Sequence, residues 1–177
     1  AIERVAPGLQ RRPRTPRVWV SCDVDLPYSP GAKSAAVALR QAASHLVNDR
    51  SPRLAVQSLV GSVAARAGID RFDPVDTFDW MLDVNERAGN RVSFFMLSVV
   101  RPQRIDCCYE LAEPRIARLL RKLVARGHEL GLHGSYGSLD APGRLARELD
   151  GLRDAVALAG GEQDRFGGRQ HYLRWHA

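Results

Sequence analysis

Lysine is almost missing from this chain of 177 residues: only Lys33 and Lys122 occur, so all but two of its 26 basic residues are arginine. The formal charge of +6 therefore reports an arginine preference more than an anionic partner. Its densest cluster, RRPRTPR from Arg11 to Arg17, is broken by Pro13 and Pro16 and has no aromatics interleaved. It reads as a solvated basic arm over residues 1–16, and no nucleic-acid partner is expected. Cysteine is scarce as well. Cys22, Cys107 and Cys108 form no CxxC pair and no even framework, which argues against a disulfide scaffold and fits a reducing compartment. No apolar run approaches the roughly 20 residues of a spanning helix, and the N-terminus lacks the apolar core of a secretion signal. The expectation is a chain with no membrane span and a cytoplasmic location. No internal repeat or low-complexity tract appears.

What is present is enough apolar residue, 45% of the chain, for one domain with a real core. Strand-like segments stand out by β-branched and aromatic content between turn residues: RVWVSCDVDLP (Arg17 to Pro27), NRVSFFMLSVV (Asn90 to Val100), HELGLH (His128 to His133) and GGRQHYLRW (Gly167 to Trp175). The second is nearly continuous apolar, as a strand covered on both faces would be. Between them lie helical patterns. EPRIARLLRKLVARG puts Ile116, Leu119, Leu120, Leu123 and Val124 on one stripe and stops at Gly127. DPVDTFDWMLDVNERAG offers Asp76 as a cap over a face of Phe78, Met81 and Leu82, and a later helix carries Leu145, Leu149, Leu152 and Val156. Residues 32–68 read as two further helical pieces separated by NDRSPR. Alternation of strands and helices predicts an α/β fold with a parallel sheet or barrel, whose chemistry gathers at the C-terminal ends of the strands.

Those ends carry ionisable residues. The first strand finishes in Asp23-Val24-Asp25, the third in His133, and the fourth holds Arg169 and His171. Singly each has a bland reading: Asp23 and Asp25 can cap a loop beside Pro27, and His133 can be a satisfied polar residue. His128, directly after Gly127, is expected to meet the preceding helix's last carbonyls or solvent. Tyr136 reads as packing or substrate-lining.

Together, CDVD, VSFFML, RGHELGLHGSY and GGRQHYLRW resemble, in order and rough separation, the polysaccharide deacetylase family, the NodB-homology domain of carbohydrate esterase family 4. The likeness covers about Val18 to the C-terminus, with the 32–68 helices as an insertion in a domain over 17–177. It implies a distorted (β/α) barrel and a metal-dependent hydrolase that removes acetyl groups from an N- or O-acetylated sugar, with one divalent metal, commonly zinc, as cofactor. Carried over by position, Asp23 is the base and Asp25 a metal ligand, while Arg169 orients Asp23 and keeps it ionised. Tyr136 and Tyr172 are implied as substrate-binding.

Two departures bear on this. In the family's second motif His133 matches the first ligand, but Gly134 stands where a Ser or Thr is usual and Gly137 where the second ligand histidine falls. His171 either replaces that ligand, completing a set of Asp25, His133 and His171, or lines the groove. The family's late general-acid histidine should follow the third motif, yet Ala177 comes only eight residues past Arg169, so the barrel is expected to be incomplete at its C-terminus. The alternative reading is a binding or scaffold domain that keeps the groove without a competent metal site. Oligomeric state is left open.

Overall fold

VSFFML, Val92–Leu97, is buried at all six positions, and the rest of the fold is arranged to cover it. The structure, a computed structural model, describes residues 17–29, 34–69, 72–99, 105–106 and 109–175. The basic cluster up to residue 16, Cys107, Cys108 and His176 lie outside the described residues. Four strands, β1 (Val20–Val24), β2 (Val92–Leu97), β3 (Glu129–Gly134) and β4 (Gly168–Gln170), pair in the order β1-β2-β3-β4, every pair parallel. The sheet is curled into a half-barrel, flanked among the described residues by five helices. These are α1 (Ala35–Val47), α2 (Pro52–Arg66), α3 (Phe78–Arg87), α4 (Pro114–Ala125) and α5 (Pro142–Leu158). The α/β class is as the alternation implies, and the curled parallel sheet is consistent with an incomplete α/β barrel.

Strand alternation sorts the two faces. Val20, Cys22 and Val24 of β1, Phe94 and Met96 of β2, and Leu130 and Leu132 of β3 join the helix-side core with Leu82, Ile116, Leu119, Leu120, Leu123, Leu152 and Val156. That list holds most of the stripes read from the helix periodicity, with Met81, Val124 and Leu149 partly buried against it, whereas Leu145 is exposed. The other parity faces the hollow of the curl: Asp23 pairs with Phe95 and Phe95 with Gly131, while Leu97 pairs with His133 and His133 with Arg169. Gly131 is required by this packing, because a Cβ there would lie 2.6 Å from the Phe95 ring.

α4 ends as its sequence suggests. Gly127 sits at φ +77, its N–H bonds Val124 O and the His128 N–H bonds Leu123 O, a double closure that needs a left-handed residue. The His128 side chain departs from expectation, since it neither meets the helix carbonyls nor faces solvent. It is buried, its Nδ1 accepts the Val92 N–H at 3.1 Å, and its Nε2 lies 3.0 Å from Glu86 Oε1. An accepting Nδ1 puts the neutral ring's proton on Nε2, so the ring ties the start of β2 to α3. α3 departs in detail too: Thr77 is its N-cap, while Asp76 Oδ1 accepts the Phe78 N–H at 3.3 Å. The fourth strand is shorter than Gly167 to Trp175. It ends at Gln170 and passes into a 3-10 turn, His171–Leu173, with Tyr172 and Leu173 at φ 59 and 51. Left-handed backbone at non-glycine residues breaks the ladder there.

Glu86 also takes Arg126 Nε and Nη2 at 2.7 Å each. The Arg126 guanidinium first, and His128 second, push the Glu86 carboxyl down to about 2. A depressed acid stabilises the fold above its ordinary pKa and loses that contribution as pH falls through the folded value. Glu86→Gln is therefore expected to lower Tm at pH 7, with the gap to wild type closing between about pH 4.5 and 2. Thermal scans across that window check it, and a pH-independent gap would contradict it.

Candidate functional site

β1, β3 and β4 each deliver side chains to one end of the sheet. The carboxylate of Asp25, just past β1, places Oδ1 3.3 Å from His133 Nε2 and 3.7 Å from His171 Nε2. Donor atoms of Asp25, His133 and His171 all lie within 4.8 Å of one another, so the three could hold a metal ion. Both histidines are buried, whereas the Asp25 side chain is 54% exposed. The imidazoles meet edge to face with centroids 4.9 Å apart.

The fit to a cation can be judged from the other ring nitrogens. His133 Nδ1 lies 2.9 Å from the Arg169 carbonyl oxygen, an acceptor only, so Nδ1 must donate and Nε2 carries the free lone pair. His171 Nδ1 lies 3.3 Å from Asp106 Oδ1. In the neutral form, a ring that donates from Nδ1 turns its Nε2 lone pair toward the Asp25 carboxylate, an arrangement that a bound cation would satisfy. Zinc bonds of about 2.0–2.1 Å at tetrahedral angles set donors about 3.4 Å apart, close to both Asp25 separations. Two imidazoles, one carboxylate and an open side match the donor set of a catalytic rather than a structural site.

Beside this trio, Arg169 Nη1 donates to Asp23 Oδ1 at 2.7 Å and Nη2 to Ser21 Oγ at 2.9 Å. The guanidinium lies over the Phe95 ring at 4.7 Å, which holds it flat. Arg169 therefore grips Asp23 through one nitrogen and Ser21 through another, not through a two-bond carboxylate fork. Asp23 Oδ2 is left without a protein partner among the described residues. The half-buried Cys22 thiol next to it is pushed up by burial first and by Asp23 and Asp25 second, so it is no nucleophile near neutrality. A cleft of about 250 Å³ is lined by Asp23, Asp25, His133, Gln170, His171, Tyr172 and Leu173. Tyr136 is outside this lining. Its ring meets Tyr172 edge-on at 5.8 Å under the Arg174 guanidinium at 4.1 Å, and its N–H bonds Asp106 Oδ1 at 2.6 Å.

Of the two glycines in the second motif, Gly134 has a spatial cause. A Cβ at Gly134 would meet Gln170 Oε1 at 2.8 Å and Leu145 Cδ1 at 3.1 Å. At Gly137 the nearest atom to a Cβ is Arg144 Nη1 at 3.0 Å, the far end of a long side chain. The second histidine of the trio, His171, comes from the turn after β4. Asp106 carries no periodic signal, although it is the one acid between β2 and Tyr109. Ser21 and Gln170 were missed because hydroxyl and amide side chains carry no distinctive spacing.

No protein-family model, curated protein or solved structure matches this chain.

Gly134→Thr, which would bring in the residue usual at that motif position, is expected to destabilise the protein by about 1–3 kcal/mol through overpacking against Gln170. Urea unfolding measures this, and an unchanged midpoint would contradict the close packing. Calorimetric zinc titration of the metal-stripped protein should find one tight site that is lost in both His133→Ala and His171→Ala. Loss in the first alone would leave His171 lining the cleft.

Proposed function

We propose that this chain is a metal-dependent hydrolase that removes acetyl groups from an N- or O-acetylated sugar or polysaccharide. The observation that carries the reading is the convergence of Asp25, His133 and His171 within 4.8 Å beside an independently braced carboxylate, Asp23. A ligand trio alone is a metal site. A ligand trio with a fixed base on the neighbouring wall is the pairing that hydrolysis of an acyl bond needs. The resemblance of the four strand-end segments to polysaccharide deacetylases supports the same assignment.

In this reading Asp25, His133 and His171 would hold a divalent ion, zinc being the common one in the family that the strand-end segments resemble, and the ion would supply a Lewis acid for the acetyl carbonyl and for water. Asp23 accepts the proton of the attacking water through Oδ2, the oxygen that Arg169 leaves open. Arg169 keeps that carboxylate in one orientation, because Ser21 and the Phe95 ring fix the guanidinium from two further sides. Tyr172, 65% exposed at the cleft wall, offers an aromatic face to a sugar ring. Water adds to the acetyl carbon, the bond to the sugar nitrogen or oxygen breaks as the proton taken up by Asp23 passes to that leaving atom, and acetate leaves with the amine or alcohol as the second product.

Acetate release from N- and O-acetylated sugar oligomers tests the reading. Asp23→Asn is expected to retain zinc and lose about 10²- to 10⁴-fold in kcat, the range of a general base. Wild-type turnover in that variant would remove Asp23 from the mechanism. Arg169→Lys should lose activity although its charge is kept, because an ammonium cannot bond Asp23 and Ser21 in the same plane while stacking on Phe95.

A further inference from the structure

The two histidines of the site are held from behind by different chemistry. His133 leans on a neutral peptide carbonyl, that of Arg169; His171 leans on a carboxylate, that of Asp106. The Asp106 side chain is fully buried, a costly place for a charge. Oδ1 takes the Tyr136 N–H at 2.6 Å and faces His171 Nδ1 at 3.3 Å, while Oδ2 has no hydrogen-bond partner among the described residues.

Among the described residues the nearest cation is already engaged. Arg144 Nη2 lies 3.8 Å from Asp106 Oδ2, but its Nε bonds Glu148 Oε1 at 3.1 Å. Glu148 is itself buried and accepts both the N–H and the hydroxyl of Ser135, at 3.0 and 2.5 Å. Two buried carboxylates thus share one guanidinium, with Glu148 holding the closer contact. The Asp106 carboxyl is one imidazole away from the Asp25 carboxylate. His171, with centroid 4.5 Å from the Tyr172 ring and 4.9 Å from His133, is the only described side chain that connects the two.

Resting on the metal-site reading above, we propose that Asp106 is the positioning residue for His171: its carboxylate fixes the Nδ1–H tautomer, turns Nε2 toward Asp25 and His133, and strengthens Nε2 as a donor to a divalent cation. A carboxylate behind a ligating imidazole does this wherever it occurs, and its loss generally costs about 10- to 100-fold in metal affinity. Asp106 touches neither ion nor substrate. β4 ends at Gln170, and His171 opens the 3-10 turn that follows it.

Nitrogen-15 NMR of the metal-free protein reads the tautomer directly, and calorimetric zinc titration reads the consequence. In wild type, His171 is expected as the Nδ1–H form. Asp106→Ala should give mixed tautomers at His171, leave His133 as Nδ1–H because its carbonyl partner is untouched, and lower zinc affinity about 10- to 100-fold. Circular dichroism confirms that the variant is folded. Asp106→Asn keeps an oxygen for Nδ1 and for Tyr136 but removes the charge, so it should keep the tautomer with a smaller fall in affinity. An unchanged His171 tautomer in Asp106→Ala would overturn the proposal; should that variant not fold, unchanged affinity in Asp106→Asn would do so. Wild type that binds no zinc would sink the metal reading instead, while the His171 tautomer would still decide whether Asp106 positions the ring.

Discussion

The bond from Arg169 to Asp23 spans the whole sheet, from its last strand to its first, and the site depends on the curl that makes this span possible. Four strands laid flat would place β1 and β4 about 14 Å apart, three spacings of about 4.8 Å, more than an arginine and an aspartate can bridge. Curling brings them within one hydrogen bond of 2.7 Å. The same closure carries His171 across to Asp25. Phe95 is the spacer beneath the pair: it fills the hollow, stacks under the guanidinium and permits no side chain at Gly131.

The hollow face accordingly gathers polar groups around Phe95, while the outer face is apolar. Leucine, phenylalanine and methionine from β2 and β3 interlock with the stripes of α3, α4 and α5, so the helices hold the sheet from outside while ion pairing holds it from inside. α2 is built differently. It buries Ala55, Ser58, Gly61 and Ser62 and leaves Val56, Leu59, Val60 and Val63 exposed, and the absence of a side chain at Gly61 lets the Phe72 carbonyl come within 2.7 Å of where a Cβ would be. No described helix is long and apolar enough to cross a membrane.

Much of this was legible in the sequence, for reasons that differ by element. β2 and α4 could be read because burial on all sides and burial on one stripe leave unmistakable patterns at Val92–Leu97 and at Ile116 to Val124. The gathering of Asp23, Asp25, His133, Arg169 and His171 followed from parallel topology, which sends all strand ends to one side. The end of β4 was not legible, because the φ values of Tyr172 and Leu173 contradict the usual preference of bulky residues. His128 was misjudged since position after a helix says nothing about the strand that begins beside it. Asp106 escaped notice because a lone acid in a loop acquires meaning only from what it faces.

Asp25, His133 and His171 could jointly hold one divalent ion. X-ray absorption at the zinc edge of the loaded protein tests it most directly, because imidazole scattering counts the histidines around the ion. Two imidazoles with oxygen ligands at about 2.0–2.1 Å, falling to one imidazole in His171→Ala, is the result the structure predicts. A zinc ion surrounded by one imidazole or none in the wild-type protein would contradict it.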